Sequence, residues 1–544
     1  MKKLIMLGAL LLPMILLAQD QRSETRAVVS PAQLVREGRE LSTQNVNELE
    51  DRLASTPDDL SARTRLLGYY FSATGIIGQD NKTCQQAFSI LTRRQLVEET
   101  KFLRDEDCPS LYSPRWLGDV AESGRQDAPG CVEAMNAIDG KGVRRAAVKF
   151  ISNRCRDTGA EATRAARRRH ILWMIQHHPE NDAAMLPEFT IDPTGHRLAD
   201  ADGYEQARKL WMDQADQRND DVKVLTHAAR FFRLNDKALA LTFLKQALEL
   251  EPDNRDTASR LGYTYAITAL GITMINNNGL PMSADPAEAT GKVAAMAINE
   301  LRASSNPVVI ATAGTILSQY GAMIQAVTEG AINQNALAEE ILLRASTLDT
   351  NDPGPARFLS QLYKHKLTSL RAAGAGRPEE RTMLARKSLE QAKIVVDRTT
   401  GDRKSHVRAL TTASKAAVDA EAFDQAQRFA SDLLTQVADP PNISDGPAFH
   451  DGHVVLGHVA LNAGDVEQAK AHLLQAGSTP GGGGLTSFGP NMSLAKALAE
   501  RGEHDTVVAY LELCQSFWPK PRLEQWIQTL RNGEVPNFGA NLVY

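Results

Sequence analysis

Residues 240–265 read ALTFLKQALELEPDNRDTASRLGYTY. Ala240, Leu244, Ala247 and Pro252 stand at relative spacings 0, 4, 7 and 12, and Leu261, Gly262 and Tyr265 follow at 0, 1 and 4. The same order returns near the C-terminus. HVVLGHVALNAGDVEQAKAHLLQA carries Leu456, Gly457, Ala460, Gly464, Ala469, Leu473 and Ala476. MSLAKALAERGEHDTVVAYLELC then carries Leu494, Ala495, Leu498, Gly502, Val507, Leu511 and Cys514. These two copies are offset by 38 residues, or 34 once Gly481 to Gly484 are set aside. Small residues such as Gly262, Ala247, Gly457 and Ala469 let two helix axes approach, while Leu and Tyr at helical spacing fill the seam. A single hairpin cannot bury its apolar face, so only a stack of them is stable.

These residues resemble the tetratricopeptide (TPR) motif, a pair of helices repeated about every 34 residues. The resemblance implies an all-α fold, an α-α superhelix of about nine or ten helical hairpins. Further stretches match with decreasing clarity: Ala338, Leu342 and Ala345; Leu359 and Tyr363; Ala385, Leu389 and Ala392; Phe423, Ala426 and Leu433. YEQARKLW (Tyr204, Ala207, Trp211) reads as a second helix whose first is degraded. In PRLEQWIQTLRNG, Leu523, Trp526, Ile527 and Leu530 share a face, as a closing helix requires. No strand signal stands out, so an almost entirely helical protein is expected.

Near the N-terminus the repeat is interrupted. SARTRLLGYYF (Leu67, Gly68, Phe71) reads as a first helix, and its partner returns only at ATRAARRRHILWMIQHHPEN. Residues 74–159 therefore read as an insertion with helical segments of its own, carrying four of the five cysteines. Cys84, Cys108, Cys131 and Cys155 are spaced by 24, 23 and 24. In an exported chain an even set points to two disulfides, with three connectivities open. A zinc site usually shows close C-x2–4-C pairs, which are absent. Cys514 sits at a repeat packing position and reads as a buried free thiol. The expected organisation is a signal over 1–18, first helices over 19–73, the insertion over 74–159, the array over 160–517, and a closing helix and tail over 518–544.

The export reading rests on Lys2 and Lys3, the apolar run Leu4 to Ala18, and its abrupt end at Gln19-Asp20-Gln21-Arg22. That is the layout of a signal peptide cut after Ala18, and the run is short for a membrane span. A periplasmic or secreted protein without stable membrane insertion is expected, similar to exported bacterial-type TPR proteins. Of 544 residues, 61 are basic and 66 acidic, a formal net charge of −5. That balance speaks against a nucleic-acid partner. A hydrophobic share of 42% supports a sizeable core, and aromatics at 6% favour packed helices over a sandwich.

Candidate chemistry is sparse. His450, Asp451, His453 and His458 cluster in PAFHDGHVVLGH without an H-E-x-x-H pattern, and Gly452 as a helix start would leave His450 outside the helix. They read as exposed or capping residues. Arg167, Arg168 and Arg169 read as a solvated helix face, and His170 shows no fixed acidic partner nearby. His177 and His178, just before Pro179, suit a helix C-terminus. The glycines 481–484 lack the Lys-Ser/Thr of a phosphate loop and read as a flexible connector. No nucleophile elbow, dinucleotide fingerprint or paired-carboxylate motif is present, so no catalytic residue, metal or cofactor is assigned.

The resemblance implies a binding scaffold whose first helices line a groove for a protein or peptide partner. On that template Tyr263, Arg357, Gln361, Lys364 and His458 face inward. Arg357 and Lys364, two turns apart on one face, are positioned to hold a carboxylate. The competing reading is an envelope enzyme with its site in the insertion or the groove.

Overall fold

The computed structural model describes residues 29–75, 160–191, 200–275 and 281–542. The expected signal over 1–18 lies outside them. So do residues 76–159, with Cys84, Cys108, Cys131 and Cys155. The chain packs as two compact units, divided between Phe231 and Phe232.

In the first unit, α1 (Pro31–Arg39), α2 (Thr43–Ser55), α3 (Leu60–Gly75), α4 (Ala160–His177) and α5 (Ala201–Gln217) precede α6 (Val222–Phe232), in which the division falls. Ser30 and Ser42 cap α1 and α2 by accepting from the amides of Gln33 and Asn45. Helix α3 packs against α1, α2 and α4. Leu34, Val35, Leu66, Leu67, Phe71, Ile171 and Ile175 are buried in this unit.

The second unit begins with α7 (Lys237–Leu250), capped by Asp236, and α8 (Arg255–Ala269), capped by Asn254. There follow a short α9 (Pro286–Ala289), α10 (Lys292–Ala303), α11 (Pro307–Val327) and α12 (Asn335–Leu348). Next come α13 (Gly354–Ala372), α14 (Pro378–Arg398), α15 (Arg403–Asp419), α16 (Phe423–Thr435), α17 (Gly446–Asn462) and α18 (Val466–Gly477). The last are α19 (Gly483–Ser487), α20 (Ser493–Ala499), α21 (His504–Cys514) and α22 (Pro521–Arg531). Six helical hairpins (α8/α10, α11/α12, α13/α14, α15/α16, α17/α18 and α20/α21) pack in succession among the described residues.

Most positions that carried the repeat are buried: Ala240, Ala247, Leu261, Tyr265, Ala469, Leu473, Leu494 and Leu511 are each less than 5% exposed, whereas Pro252, Gly464 and Gly502 lie exposed between helices. Gly262 shows why a small residue sits at a crossing. A Cβ there would lie 2.3 Å from the Val309 carbonyl oxygen of α11. The closing helix is present, with Leu523, Trp526, Ile527 and Leu530 buried against α21. The tail folds back beyond it, its Phe538 ring edge-on to Trp526 at 5.0 Å.

The described residues are almost entirely helical, as expected, with one short ribbon: β1 (Ile272–Ile275) and β2 (Pro281–Ala284) pair antiparallel between α8 and α10, with Ile272 opposite Ala284. Strands of four residues are too short to show a period of two. Two expectations are corrected. The glycines 481–484 are ordered, Gly481 and Gly482 leading into α19 and Gly483 and Gly484 opening it. Gly481 and Gly482 are buried at φ +82° and +100°, and a Cβ on Gly482 would meet the Ile443 carbonyl oxygen at 2.0 Å. Finally, α17 begins at Gly446, four residues before His450, with Pro447 in its first turn. Among the described residues one helix, α11, is long and apolar enough to cross a membrane. Here it packs against α8, α12 and α13, burying Val309, Ile310, Ala313 and Leu317.

Candidate binding face

The first helices of successive hairpins touch one another: α11 meets α13, α15 meets α17, and α17 meets α20. Charged pairs extend this contact. Asp419, at the end of α15, accepts from Lys364 Nζ and Arg371 Nη1 of α13, each at 2.6 Å. Burial raises the Asp419 pKa, but the two cations outweigh it and hold the carboxyl below its ordinary value. Lys364, expected to stand with Arg357 before an outside carboxylate, is thus paired from within by Asp419. Arg357 and Gln361 remain exposed on the same face of α13, the Arg357 guanidinium 4.9 Å from the Phe358 ring. Tyr263, on α8, is half-buried with the Arg233 guanidinium 5.6 Å from its ring.

His458 of α17 shares a 2.9 Å hydrogen bond with Ser493 Oγ of α20. Burial, ahead of the opposing charges of Asp419 and Arg501, brings its pKa down to about 4, so the ring is uncharged at neutral pH. A hydroxyl beside a neutral imidazole has the make-up of a nucleophile–base pair. Among the described residues no carboxylate is hydrogen-bonded to the other ring nitrogen to orient it, so the triad arrangement is incomplete.

His450 and Asp451 depart most from their reading as exposed or capping residues. His450 is 0% exposed. Its Nδ1 donates to Asp451 Oδ1 at 3.2 Å, and the Tyr510 hydroxyl of α21 donates to its Nε2 at 3.0 Å. Lys415 of α15 completes the line, 2.7 Å from Asp451 Oδ2. Burial pushes the Asp451 carboxyl up, yet Lys415 and His450 together bring it down to about 2. The Tyr510 hydroxyl also bonds Cys514, whose thiol burial pushes up to about 12. Five side chains thus tie α15, α17 and α21 together. His453 and His472 meet across the α17/α18 hairpin, Nδ1 to Nδ1 at 3.1 Å. Burial leads the causes that lower both pKa values, to about 4 for His453. Among the described residues no three His, Cys, Asp or Glu side chains gather as metal ligands would.

In the first unit the arginine run of α4 is only partly a solvated face, with Arg169 exposed and the others recessed. Arg167 is buried and donates to the carbonyls of Glu188 and Thr190. Arg168 pairs with Asp200 at 2.8 Å. Arg169 pairs with Glu50 at 2.7 Å. His170 does have an acidic partner, Glu50, at 2.9 Å from Nε2, while Arg63 donates to its Nδ1 at 3.2 Å. Because arginine only donates, Nδ1 accepts and Nε2–H donates to the carboxylate. Burial raises the Glu50 pKa, but hydrogen bonds from His170 and Tyr70, together with Arg169, bring it to about 2. These partners lie more than 100 residues apart in sequence, beyond the reach of local periodicity. His177 turns back to the Trp173 carbonyl at 2.9 Å, and His178 lies near Glu180 and Asp58.

No family model and no curated protein matches the chain. Among solved structures, the human IFIT1 dimer with PPP-AAAA is similar at 13% identity and a TM-score of 0.29, over 91% of this chain and 94% of that one. The human IFIT1 dimer with m7Gppp-AAAA is similar at 14% identity and a TM-score of 0.30, over 92% and 97%. Likeness at that score carries no weight for shared function, and the array of helical hairpins stands on the chain's own packing.

Proposed function

We propose that the chain is an exported, non-catalytic TPR-like scaffold that binds a protein or peptide partner on the first-helix face of its second unit. The observation that carries this reading is the division of labour on that face. Lys364, Arg371, Asp419, Lys415, Asp451 and His458 are spent on contacts between helices. Arg357 and Gln361, one turn apart on α13, stay exposed and uncommitted, as contact residues for an incoming chain would.

The test is purification of the exported protein from a membrane-proximal extract, beside an Arg357→Ala/Gln361→Ala variant. A stoichiometric protein partner, weakened by the double substitution, supports the reading. A stoichiometric metal or small molecule turns it toward the envelope enzyme, and a bound oligonucleotide overturns the expected partner class. N-terminal sequencing beginning at Gln19 supports export with cleavage after Ala18; a chain beginning at Met1 contradicts it.

A further inference from the structure

Arg233, just beyond the end of α6, is a cation without a counter-ion among the described residues. Its Nε is buried and has no hydrogen-bond partner there. Among the described residues no ion pair reaches its guanidinium; its neighbours include the Tyr263 ring, at 5.6 Å, and a second cation, Arg260. Arg260 is already held by Asp256, Nε to Oδ2 at 2.7 Å. Burial lowers the Arg233 pKa; Tyr263 works against it and the charge of Arg260 adds to it, leaving the net shift downward. The C-terminus of α6 offers a partial negative charge but no hydrogen bond.

Two other recessed arginines are treated differently, although Arg381 shares a buried, unpartnered Nε with Arg233. Arg167 donates to the carbonyls of Glu188 and Thr190, and Arg344 to those of Leu301, Arg302 and Ser304. A buried guanidinium left with free N–H groups costs free energy, and proteins ordinarily supply acceptors from within. Arg233 is only half-buried as a residue, and its Nη atoms are not among the buried unpartnered ones. The fork is therefore recessed at Nε and open at its tip.

We propose that Arg233, with Tyr263 as its wall and Arg260 adding positive potential, binds one oxyanion group, a carboxylate or a phosphate, carried by the partner of the first-helix face. A guanidinium presents parallel N–H donors matched to two oxygens, and an aromatic face beside it holds its plane. Tyr263 lies on α8, the first helix of its hairpin, so the site belongs to the face proposed above and rests on that reading.

The test titrates the full chain at constant ionic strength with inorganic phosphate and with a capped tetraglutamate peptide, following thermal midpoint and binding heat. At least one should stabilise the wild-type protein. Arg233→Gln should weaken that binding at least tenfold while its own midpoint without anion stays equal or rises. Arg233→Lys keeps the charge but not the fork, and should bind more weakly than wild type. Stabilisation by phosphate alone identifies a phosphorylated group, and by tetraglutamate alone an acidic peptide. The proposal is overturned if neither anion binds, if Arg233→Gln responds as the wild type does, or if the substitution only lowers the midpoint. Capture of the same protein partner by wild type and Arg233→Gln with equal affinity would remove the anion site and leave the face standing. Anion binding at Arg233 without any captured partner would keep the site and remove the face.

Discussion

Replacing Asp451 with Asn tests the buried line of side chains that holds three helices together. The Asp451 side chain is 13% exposed and takes Lys415 Nζ at 2.7 Å and His450 Nδ1 at 3.2 Å. Against the cost of burial, these partners bring its pKa from the ordinary 3.8 to about 2. At about 1.4 kcal/mol for each tenfold change in proton affinity, the difference corresponds to about 2 kcal/mol of stability. The sign follows from linkage. The folded pKa is below the unfolded one, so the contribution is complete above pH 3.8 and is lost as pH falls toward about 2. Asp451→Asn should therefore lose about 2 kcal/mol at pH 7, a loss that narrows steadily below pH 4. Urea unfolding followed by helical circular dichroism, on both proteins between pH 7 and pH 3, reads the difference directly. A loss of equal size at pH 7 and pH 3, or none at pH 7, would refute the ion-pair reasoning.

Cys514, fully buried with its thiol pushed up to about 12, should resist a disulfide exchange reagent in the native protein and react once the chain unfolds; prompt native labelling contradicts its burial. Gly262→Ala should cost about 1–3 kcal/mol, because its Cβ would meet the Val309 carbonyl oxygen at 2.3 Å; an unchanged melting midpoint would show that α8 and α11 part freely. Tyr510→Phe leaves the Nε2 of the buried His450 without its donor and should cost about 1–3 kcal/mol in a urea titration, whereas a neutral result removes the hydrogen bond from the account. A Gly/Ser linker in place of residues 76–157 should leave the remaining helicity and cooperative melt largely intact, and intact-mass analysis of the parent should find two disulfides within the insertion. Collapse of the array, or a bridge to Cys514, places the insertion in the core instead.

The array was legible because its physics is local. Ala247, Gly262, Leu473 and Leu511 recur at helical spacing, and burial follows that spacing directly. What lay between repeats was not legible. His450 read as a cap because Gly452 resembles a helix start, yet Asp445-Gly446-Pro447 upstream already carried a stronger one, with Pro447 in the first turn. The partners of Glu50, Asp419 and Asp451 come from separate helices, and their pairing depends on how hairpins stack. Lys364 shows the consequence: its position on the face was readable, but its engagement with Asp419, 55 residues away, was not. Arg233 escaped notice because an orphaned donor is defined by what fails to reach it, which no spacing reveals.

The most direct measurement is amide hydrogen exchange on the purified complex against the protein alone. Binding on the first-helix face predicts protection concentrated in α13, α15 and α17, strongest around Arg357 and Gln361 and reduced by their substitution. Protection confined to the second helices α14, α16 and α18, or a stoichiometric small molecule with no protein partner, would contradict it.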